Sequence, residues 1–146
     1  MTAEVHKPVS AALAMNLHLP QPCPYLVITA FLHYAPESPY AVSVTFPVSR
    51  GNEPIVWYMS RDLIRDGLSR LTGEGDVQIG PDPNGSDDVA FRLQANGLSA
   101  LLTAPRQPIK DFLQRTAEVV PYGRETAMPG YHSQLHATLA RLLTGS

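Results

Sequence analysis

The sequence predicts an α+β domain built on a mainly antiparallel seven-stranded sheet with three helices. Most apolar segments alternate with polar residues at a period of two, which is typical of half-buried strands. The predicted elements run in the order ββββα-βββ-αα, which excludes the alternating order of a doubly wound parallel sheet. With 146 residues, 44% hydrophobic and 16% charged, the chain has the size and composition of a single domain over residues 1–146.

Four strands are predicted before the first helix. Residues 9–19 alternate between apolar and polar side chains, whereas residues 25–34 are apolar at both parities. We therefore expect the strand at residues 25–34 to be covered on both faces, in part by another subunit. Residues 40–46 alternate again, residues 47–54 form a hairpin connection around Gly51 and Asn52, and residues 55–59 form the fourth strand.

A helix is predicted over residues 60–71. Ser60 is a good N-cap, and an apolar stripe recurs at helical spacing: Leu63, Ile64, Leu68 and Leu71. Gly67 costs a helix interior about 1 kcal/mol relative to alanine, which predicts the close approach of another backbone. The charged residues are expected to lie away from the stripe: Arg61, Asp62, Arg65, Asp66 and Arg70. We favour a plain solvated face for them over a partner-binding site.

A three-strand meander is predicted next, over residues 77–79, 89–94 and 98–104. Its turns fall at residues 81–88, "PDPNGSDD", and at Asn96-Gly97. Pro108 suits the first turn of a second helix, whose apolar stripe comprises Ile109, Phe112, Leu113, Thr116 and Val120. Ser133 can cap a third helix with an apolar face of Leu135, Leu139, Leu142 and Leu143.

The sequence "TGEGD" at residues 72–76 resembles a phosphate-binding loop in composition alone. Phosphate and dinucleotide loops place their glycines where a helix begins. Gly73 and Gly75 instead follow a predicted helix and precede a predicted strand. We therefore expect a helix C-cap and a turn.

No motif predicts catalysis, a cofactor or a metal site. His132 and His136 have the spacing of half a zinc motif, but Ser133 stands where a metalloprotease has glutamate. The acidic residues 82–88 lack the register of a calcium loop, and Cys23 has no neighbour that would lower its pKa. The chain is therefore expected not to be an enzyme. The alternative that stays open is a catalytic site assembled from residues that are distant in the sequence.

Charge and composition also limit the partners. The net charge is −2, and the eleven Lys and Arg residues are dispersed, which speaks against binding along a nucleic-acid backbone. Trp57, Tyr58 and Tyr34 are interpreted as core or interface aromatics rather than base-stacking platforms. A single cysteine, without a recognisable signal peptide or spanning segment, predicts a cytoplasmic protein.

Several ordered motifs resemble the SsgA-like proteins of sporulating actinobacteria. They are "SPYAVSVTF" at 38–46, Trp57 with "RDLIRDGL" at 61–68, "TGEGDVQI" at 72–79, "ALLTAP" at 100–105 and "FLQRTAEVVPYGRE" at 112–125. The resemblance covers about two thirds of the chain and is nearest to the SsgB-like branch of the family. The motif residues for which we expect a structural role are Trp57, Gly67, Gly73, Gly75 and Asp76.

The resemblance implies a non-enzymatic adaptor that controls sporulation-specific septation. Such a protein localises to future septum sites in the cytoplasm, works with an SsgA-like paralogue, and recruits the tubulin-like division protein FtsZ. The resemblance also implies a homotrimer and a Whirly-like fold, and that fold makes single-stranded nucleic-acid binding the alternative function. The net charge of −2 without a basic stripe argues against this alternative.

Overall fold

The computed structural model describes residues 7–19, 25–47 and 53–127. Seven strands run in chain order: β1 Val9–His18, β2 Tyr25–Tyr34, β3 Ala41–Phe46, β4 Ile55–Ser60, β5 Val77–Pro81, β6 Asp88–Ala95 and β7 Leu98–Pro105. The helices are α1 Arg61–Gly67, α2 Arg106–Val119 and a short 3₁₀ helix Glu125–Ala127. The predicted third helix, His132, His136, Cys23 and Gly51-Asn52 lie outside the described residues.

The seven strands form one sheet in the order β4-β3-β2-β1-β7-β6-β5, and every neighbouring pair is antiparallel. Two meanders therefore lie side by side, one formed by β1 to β4 and the other by β5 to β7. Pairing within a meander is long, as in the ten residue pairs between β1 and β2. The meanders meet at a seam of only three pairs, from Asn16↔Thr103 to His18↔Leu101. The predicted antiparallel α+β architecture is confirmed.

The hydrophobic core lies between one face of the sheet and the two helices. The inward residues of the strands alternate with exposed ones, as in β3, where Val42, Val44 and Phe46 are buried. From α2, the predicted stripe of Ile109, Phe112, Leu113 and Thr116 is buried against them. None of the helices in the described part of the chain is long and apolar enough to cross a membrane.

The described residues cover strand β2 on one face only. Ala30, Leu32 and Tyr34 are buried in the core, but Tyr25 and Phe31 on the other face are exposed. One of the two expected covers is therefore present, because α1 and α2 both pack on this side of the sheet. Cover from another subunit stays a prediction.

Helix α1 begins as predicted and ends early. The Ser60 hydroxyl accepts a hydrogen bond from the Leu63 N–H at 3.3 Å, which confirms the N-cap. The helix stops at Gly67 rather than at residue 71, and Leu71 is 72% exposed. The chain must turn here because Thr72 pairs with Ile79 in a short antiparallel bridge beside β5.

Gly67 lies against β5, as its position in the helix predicted. A Cβ atom added to Gly67 would lie 2.6 Å from the Ile79 Cβ and 3.0 Å from the Ile79 carbonyl oxygen. Only a residue without a side chain allows α1 and β5 to approach this closely. The contact fixes the helix against the second meander.

Candidate functional site

The charged residues of α1 do not form a single solvated face. Arg61 is 0% exposed, whereas Arg65 and Arg70 lie at the surface. The expectation that Arg61 lies away from the apolar stripe is therefore wrong. Arg61 precedes Ile64 by three residues and Leu68 by seven, so helical geometry places it on the buried side.

The Arg61 guanidinium joins α1 to the segment that follows α2. Its NH1 donates to the Val120 carbonyl oxygen at 2.6 Å, and its NH2 donates to Glu125 Oε2 at 2.8 Å. The same group lies 4.9 Å from the ring centre of Tyr34 and 4.2 Å from that of Tyr122. We call Arg61, Glu125, Tyr34 and Tyr122 the arginine lock.

Both charges of the arginine lock are buried, and each depends on the other. The Glu125 side chain is 5% exposed, and its Oε1 accepts the Gly123 N–H at 2.9 Å. Burial acts to raise the pKa of Glu125, but the hydrogen bond and charge of Arg61 prevail and hold that pKa below its usual value. The pairing is incomplete, since Arg61 Nε has no hydrogen-bond partner among the described residues.

Both tyrosines of the arginine lock stay neutral, since burial raises the pKa of Tyr122 as it does that of Tyr34. Burial raises the pKa of the Tyr34 hydroxyl, and that hydroxyl donates to the Pro39 carbonyl oxygen at 2.8 Å. A closed cluster with a paired carboxylate and neutral phenols has no group poised to exchange protons near pH 7. The arginine lock is therefore a structural element.

The lowered pKa of Glu125 predicts a specific loss of stability in acid. Because the folded-state pKa lies below the unfolded value of about 4.3, Glu125 stabilises the fold above that value. This contribution is lost as pH falls through the folded-state pKa. Urea unfolding between pH 7 and pH 3 should show a shallower acid slope for Glu125→Gln than for the native chain. Equal slopes in the two proteins would contradict the linkage.

The other charged residues of α1, together with Arg70 three positions beyond its end, pair with one another at the surface. Arg65 lies 3.6 Å from Asp62 and 3.2 Å from Asp66, and Arg70 lies 3.8 Å from Asp66. Such exposed pairs contribute less than about 1 kcal/mol each. Two positive and two negative charges in mutual contact leave little net field for a partner, so partner binding by Asp62, Arg65, Asp66 and Arg70 stays a weak prediction.

For the glycines of "TGEGD", the predicted turn is confirmed and the predicted helix C-cap is wrong. The C-cap of α1 is Leu68 in the right-handed helical conformation, so neither glycine caps the helix. Gly73 has φ +103, a conformation that favours glycine, within the connection to β5. Nothing lies within 4 Å of a Cβ added to Gly75. These residues form a turn that leads from α1 back into the sheet.

The other two motif residues lie along the sheet. Trp57 is half-buried in β4, pairs with Val44 and packs against the core. Asp76 is exposed, and its carbonyl oxygen accepts the Gln94 N–H at 2.8 Å at the start of the β5–β6 hairpin. Trp57 thus packs within the fold, whereas the Asp76 bond is one that the backbone of any residue could make, and a structural role for the Asp76 side chain stays a prediction.

The face of the first meander that is left exposed among the described residues is uncharged. In the register of β1 to β4, the outward positions are Ser10, Ala12, Ala14, Asn16, His18, Tyr25, Val27, Thr29, Phe31, His33, Ala41, Ser43, Thr45, Val56, Tyr58 and Ser60. No Asp, Glu, Lys or Arg occurs among them. Phe31 is 46% exposed and Tyr58 is 72% exposed. We call this surface the open sheet face; sequence reasoning identified the apolar character of β2 but not the extent of the surface.

A shallow groove on the open sheet face contains a serine and a histidine in contact. Ser10 Oγ and His33 Nδ1 are 2.8 Å apart, and Phe31 and Thr45 line the groove beside them. A hydrolytic serine needs a base that is itself oriented by a third group. Because no outward position of β1 to β4 carries a carboxylate, the pair is better explained as a cross-strand hydrogen bond at the register Ser10↔His33.

No group of three or more potential metal-ligating His, Cys, Asp or Glu side chains occurs within residues 7–19, 25–47 and 53–127. The candidate binding surfaces described above are the open sheet face and the surface of α1. The former is uncharged and mixes apolar with neutral polar side chains, and the latter is charged and internally paired.

Comparison with known proteins identifies relatives of the whole fold. Residues 28–125 match the family described as Streptomyces sporulation and cell division protein, SsgA. The sporulation-specific cell division protein SsgB of Kineococcus radiotolerans is 38% identical over 124 residues, which cover 83% of this chain and 72% of the relative. The protein of the same description from Streptomyces coelicolor is 37% identical over 122 residues, with 83% and 85% covered.

Solved structures agree with this result. An SsgA-like sporulation-specific cell division protein from Thermobifida fusca YX-ER1 matches with a TM-score of 0.78 at 29% identity, covering 94% of this chain and 99% of that chain. A structure described as "Mutations in SsgB correlate to longitudinal cell division during sporulation of Streptomyces coelicolor" matches with a TM-score of 0.75 at 36% identity, covering 83% and 94%. The sheet and the two helices are therefore those of a known fold.

Proposed function

Because the chain belongs to the SsgA family of sporulation and cell division proteins, we propose that it acts in sporulation-specific septum formation as a non-enzymatic adaptor. In this role it localises to the division septum in the cytoplasm, works with an SsgA-like paralogue and recruits FtsZ. The relatives described as SsgB support the sporulation and division role. FtsZ, the paralogue and a homotrimeric assembly are the specific parts of the proposal.

The observation that supports an adaptor best is the open sheet face. Exposed apolar side chains grouped on a protein surface typically mark a site that binds another protein, and the centre of such an interface is depleted of charge and rich in aromatic residues. Phe31 of β2 and Val56 and Tyr58 of β4 lie on the same face of the sheet. Ser43 and Thr45 of the intervening strand β3 lie between them. The four strands hold them on a rigid platform.

Charge placed on the open sheet face should weaken recruitment. We expect Phe31→Lys and Tyr58→Lys to lower the affinity for FtsZ by at least about tenfold, because each would bury an unpaired ammonium group in the contact. Co-sedimentation with FtsZ polymers measures the effect. Leu98→Lys is the matched control, since Leu98 is 77% exposed at the distant β6–β7 hairpin.

Light scattering on the same variants separates two uses of this face. A native mass of three chains that is kept by Phe31→Lys would leave FtsZ as the occupant. A variant that falls to one chain would show that the open sheet face is instead the contact between subunits. Failure of the native protein to bind FtsZ or to alter its polymers would refute the recruitment role.

Single-stranded nucleic-acid binding is the second candidate, and the exposed aromatic rings favour it. Tyr25, Phe31 and Tyr58 lie on the outward face of a sheet, where bases could stack. Binding of this kind also needs basic residues that follow the backbone, and the outward positions of β1 to β4 include no Lys or Arg. A fluorescence anisotropy titration at low salt distinguishes the functions, since the adaptor role predicts no oligonucleotide binding.

A further inference from the structure

The two edges of the sheet are protected differently. At the β5 edge, the Thr72 N–H donates to the Ile79 carbonyl oxygen at 2.8 Å, and the Ile79 N–H donates back to Thr72 at 2.9 Å. Pro81 removes a further donor from this edge. Strand β4 at the opposite edge pairs with β3 alone among the described residues. It has none of the charges, prolines or bulges that normally block an edge strand.

The register of β4 identifies which backbone groups are open. The Arg61 N–H donates to the Tyr40 carbonyl oxygen at 2.7 Å, so this position is hydrogen-bonded to β3. Hydrogen-bonded and non-hydrogen-bonded residue pairs alternate along two antiparallel strands. Met59, Trp57 and Ile55 therefore direct their backbone groups toward β3. Val56 and Tyr58 direct their N–H and C=O groups away from the sheet. No described residue pairs with these four groups.

The side chains around this edge determine the chemistry of a strand that fits. Val56 and Tyr58 flank it on the open sheet face, and Ile55 and half-buried Trp57 flank it on the other side. The edge is therefore apolar on both faces and uncharged from Ile55 to Ser60. An added strand would need uncharged, β-branched or aromatic residues at both parities over about five positions.

The helix that follows β4 favours a peptide segment over a second copy of this chain as the added strand. In an antiparallel pairing of two β4 strands centred on Tyr58, α1 of each copy would begin beside Ile55 of the other. A helix is about 10 Å wide, whereas paired strands lie only about 4.8 Å apart. An extended segment without a flanking helix meets no such crowding.

From this geometry we propose that the free edge of β4 binds an extended, uncharged segment of a partner protein, which adds to the sheet as an eighth strand beside Val56 and Tyr58. The inference rests on the proposed function in one respect, that a partner protein exists. It gives that partner a chemical class, because main-chain hydrogen bonds supply affinity and apolar side chains at both parities supply specificity.

The edge is tested with a peptide that has the sequence of β3, the strand that pairs with β4 on its other side. The probe is a capped synthetic peptide of residues 40–46, "YAVSVTF", which is uncharged. At millimolar concentration it should slow the hydrogen exchange of the Val56 and Tyr58 amides and leave that of Leu98 unchanged. Val56→Pro should weaken peptide binding about tenfold by removing one donor. Val56→Ala is the matched control, which loses the side chain and keeps the N–H.

Val56→Pro should still fold, because the Val56 N–H makes no bond within the sheet, and circular dichroism and the unfolding midpoint check this. No amide protection by the peptide, or equal effects of Val56→Pro and Val56→Ala, would overturn the edge site. Protection that needs no peptide and appears with a doubled mass in light scattering would overturn the partner segment in favour of a second copy. Peptide protection without FtsZ co-sedimentation would refute FtsZ recruitment and support the edge site. FtsZ co-sedimentation without peptide protection would support FtsZ recruitment and refute the edge site.

Discussion

Arg61→Met is expected to lower the free energy of unfolding by about 3–5 kcal/mol, the range for removing one partner of a buried ion pair. The substitution leaves the Glu125 carboxylate buried without its cation, and the Val120 carbonyl oxygen without its donor at 2.6 Å. Methionine has a similar length and keeps most of the packing. Urea unfolding at pH 7, followed by circular dichroism, measures the loss.

Two further variants identify the cause. Arg70→Met changes an arginine just beyond the same helix whose side chain is 73% exposed, so it should cost less than about 1 kcal/mol. The double variant Arg61→Met/Glu125→Leu removes both charges and should recover much of the loss, since apolar replacement of a complete buried pair is often neutral. If Arg61→Met costs no more than Arg70→Met, the arginine lock does not stabilise the fold.

Gly67→Ala is expected to destabilise the protein even though alanine is the better helix former. The intrinsic preference favours alanine by about 1 kcal/mol. Against this, the new methyl group would lie 2.6 Å from the Ile79 Cβ and 3.0 Å from its carbonyl oxygen, and both belong to a buried strand that cannot move freely. Overpacking of this kind costs about 1–3 kcal/mol before relaxation. We expect a net loss, seen as a Tm lower by several degrees.

Gly75→Ala is the matched control for this substitution. A Cβ at Gly75 meets nothing within 4 Å, and its φ is not positive, so the Tm should stay within about 2 °C of the native value. A Gly67→Ala protein that is more stable than the native chain would show that α1 and β5 are not held in contact.

Local signals in the sequence predicted the local structure. The alternation in residues 9–19 and 40–46 identified two strands, Ser60 identified the start of α1, and Asn96-Gly97 identified the hairpin at which both residues have positive φ. Each of these depends on a residue and its near neighbours. The end of α1 was missed, because it depends on the bridge between Thr72 and Ile79 and on the contact at Gly67.

The arginine lock was missed because residue type was weighed above position. Arginine is rarely buried without a partner, and the partner, Glu125, is 64 residues away in the chain. The available signal was the spacing of Arg61 to Ile64 and Leu68, since these three residues share one helical face. For β2, the sequence indicated two apolar faces but contained no information on whether this chain or another covers the second.

The seam between β1 and β7 has a consequence for the order in which the chain folds. Each meander is made of hairpins between consecutive strands, so its contacts are local and its loop-closure cost is small. The seam joins residues far apart in the chain, as in the hydrogen bond between His18 and Thr103, 85 positions apart. The two meanders should therefore form first and join late. Until they join, β1 and β7 expose two apolar strand edges, and a nascent chain is most prone to aggregate at that stage.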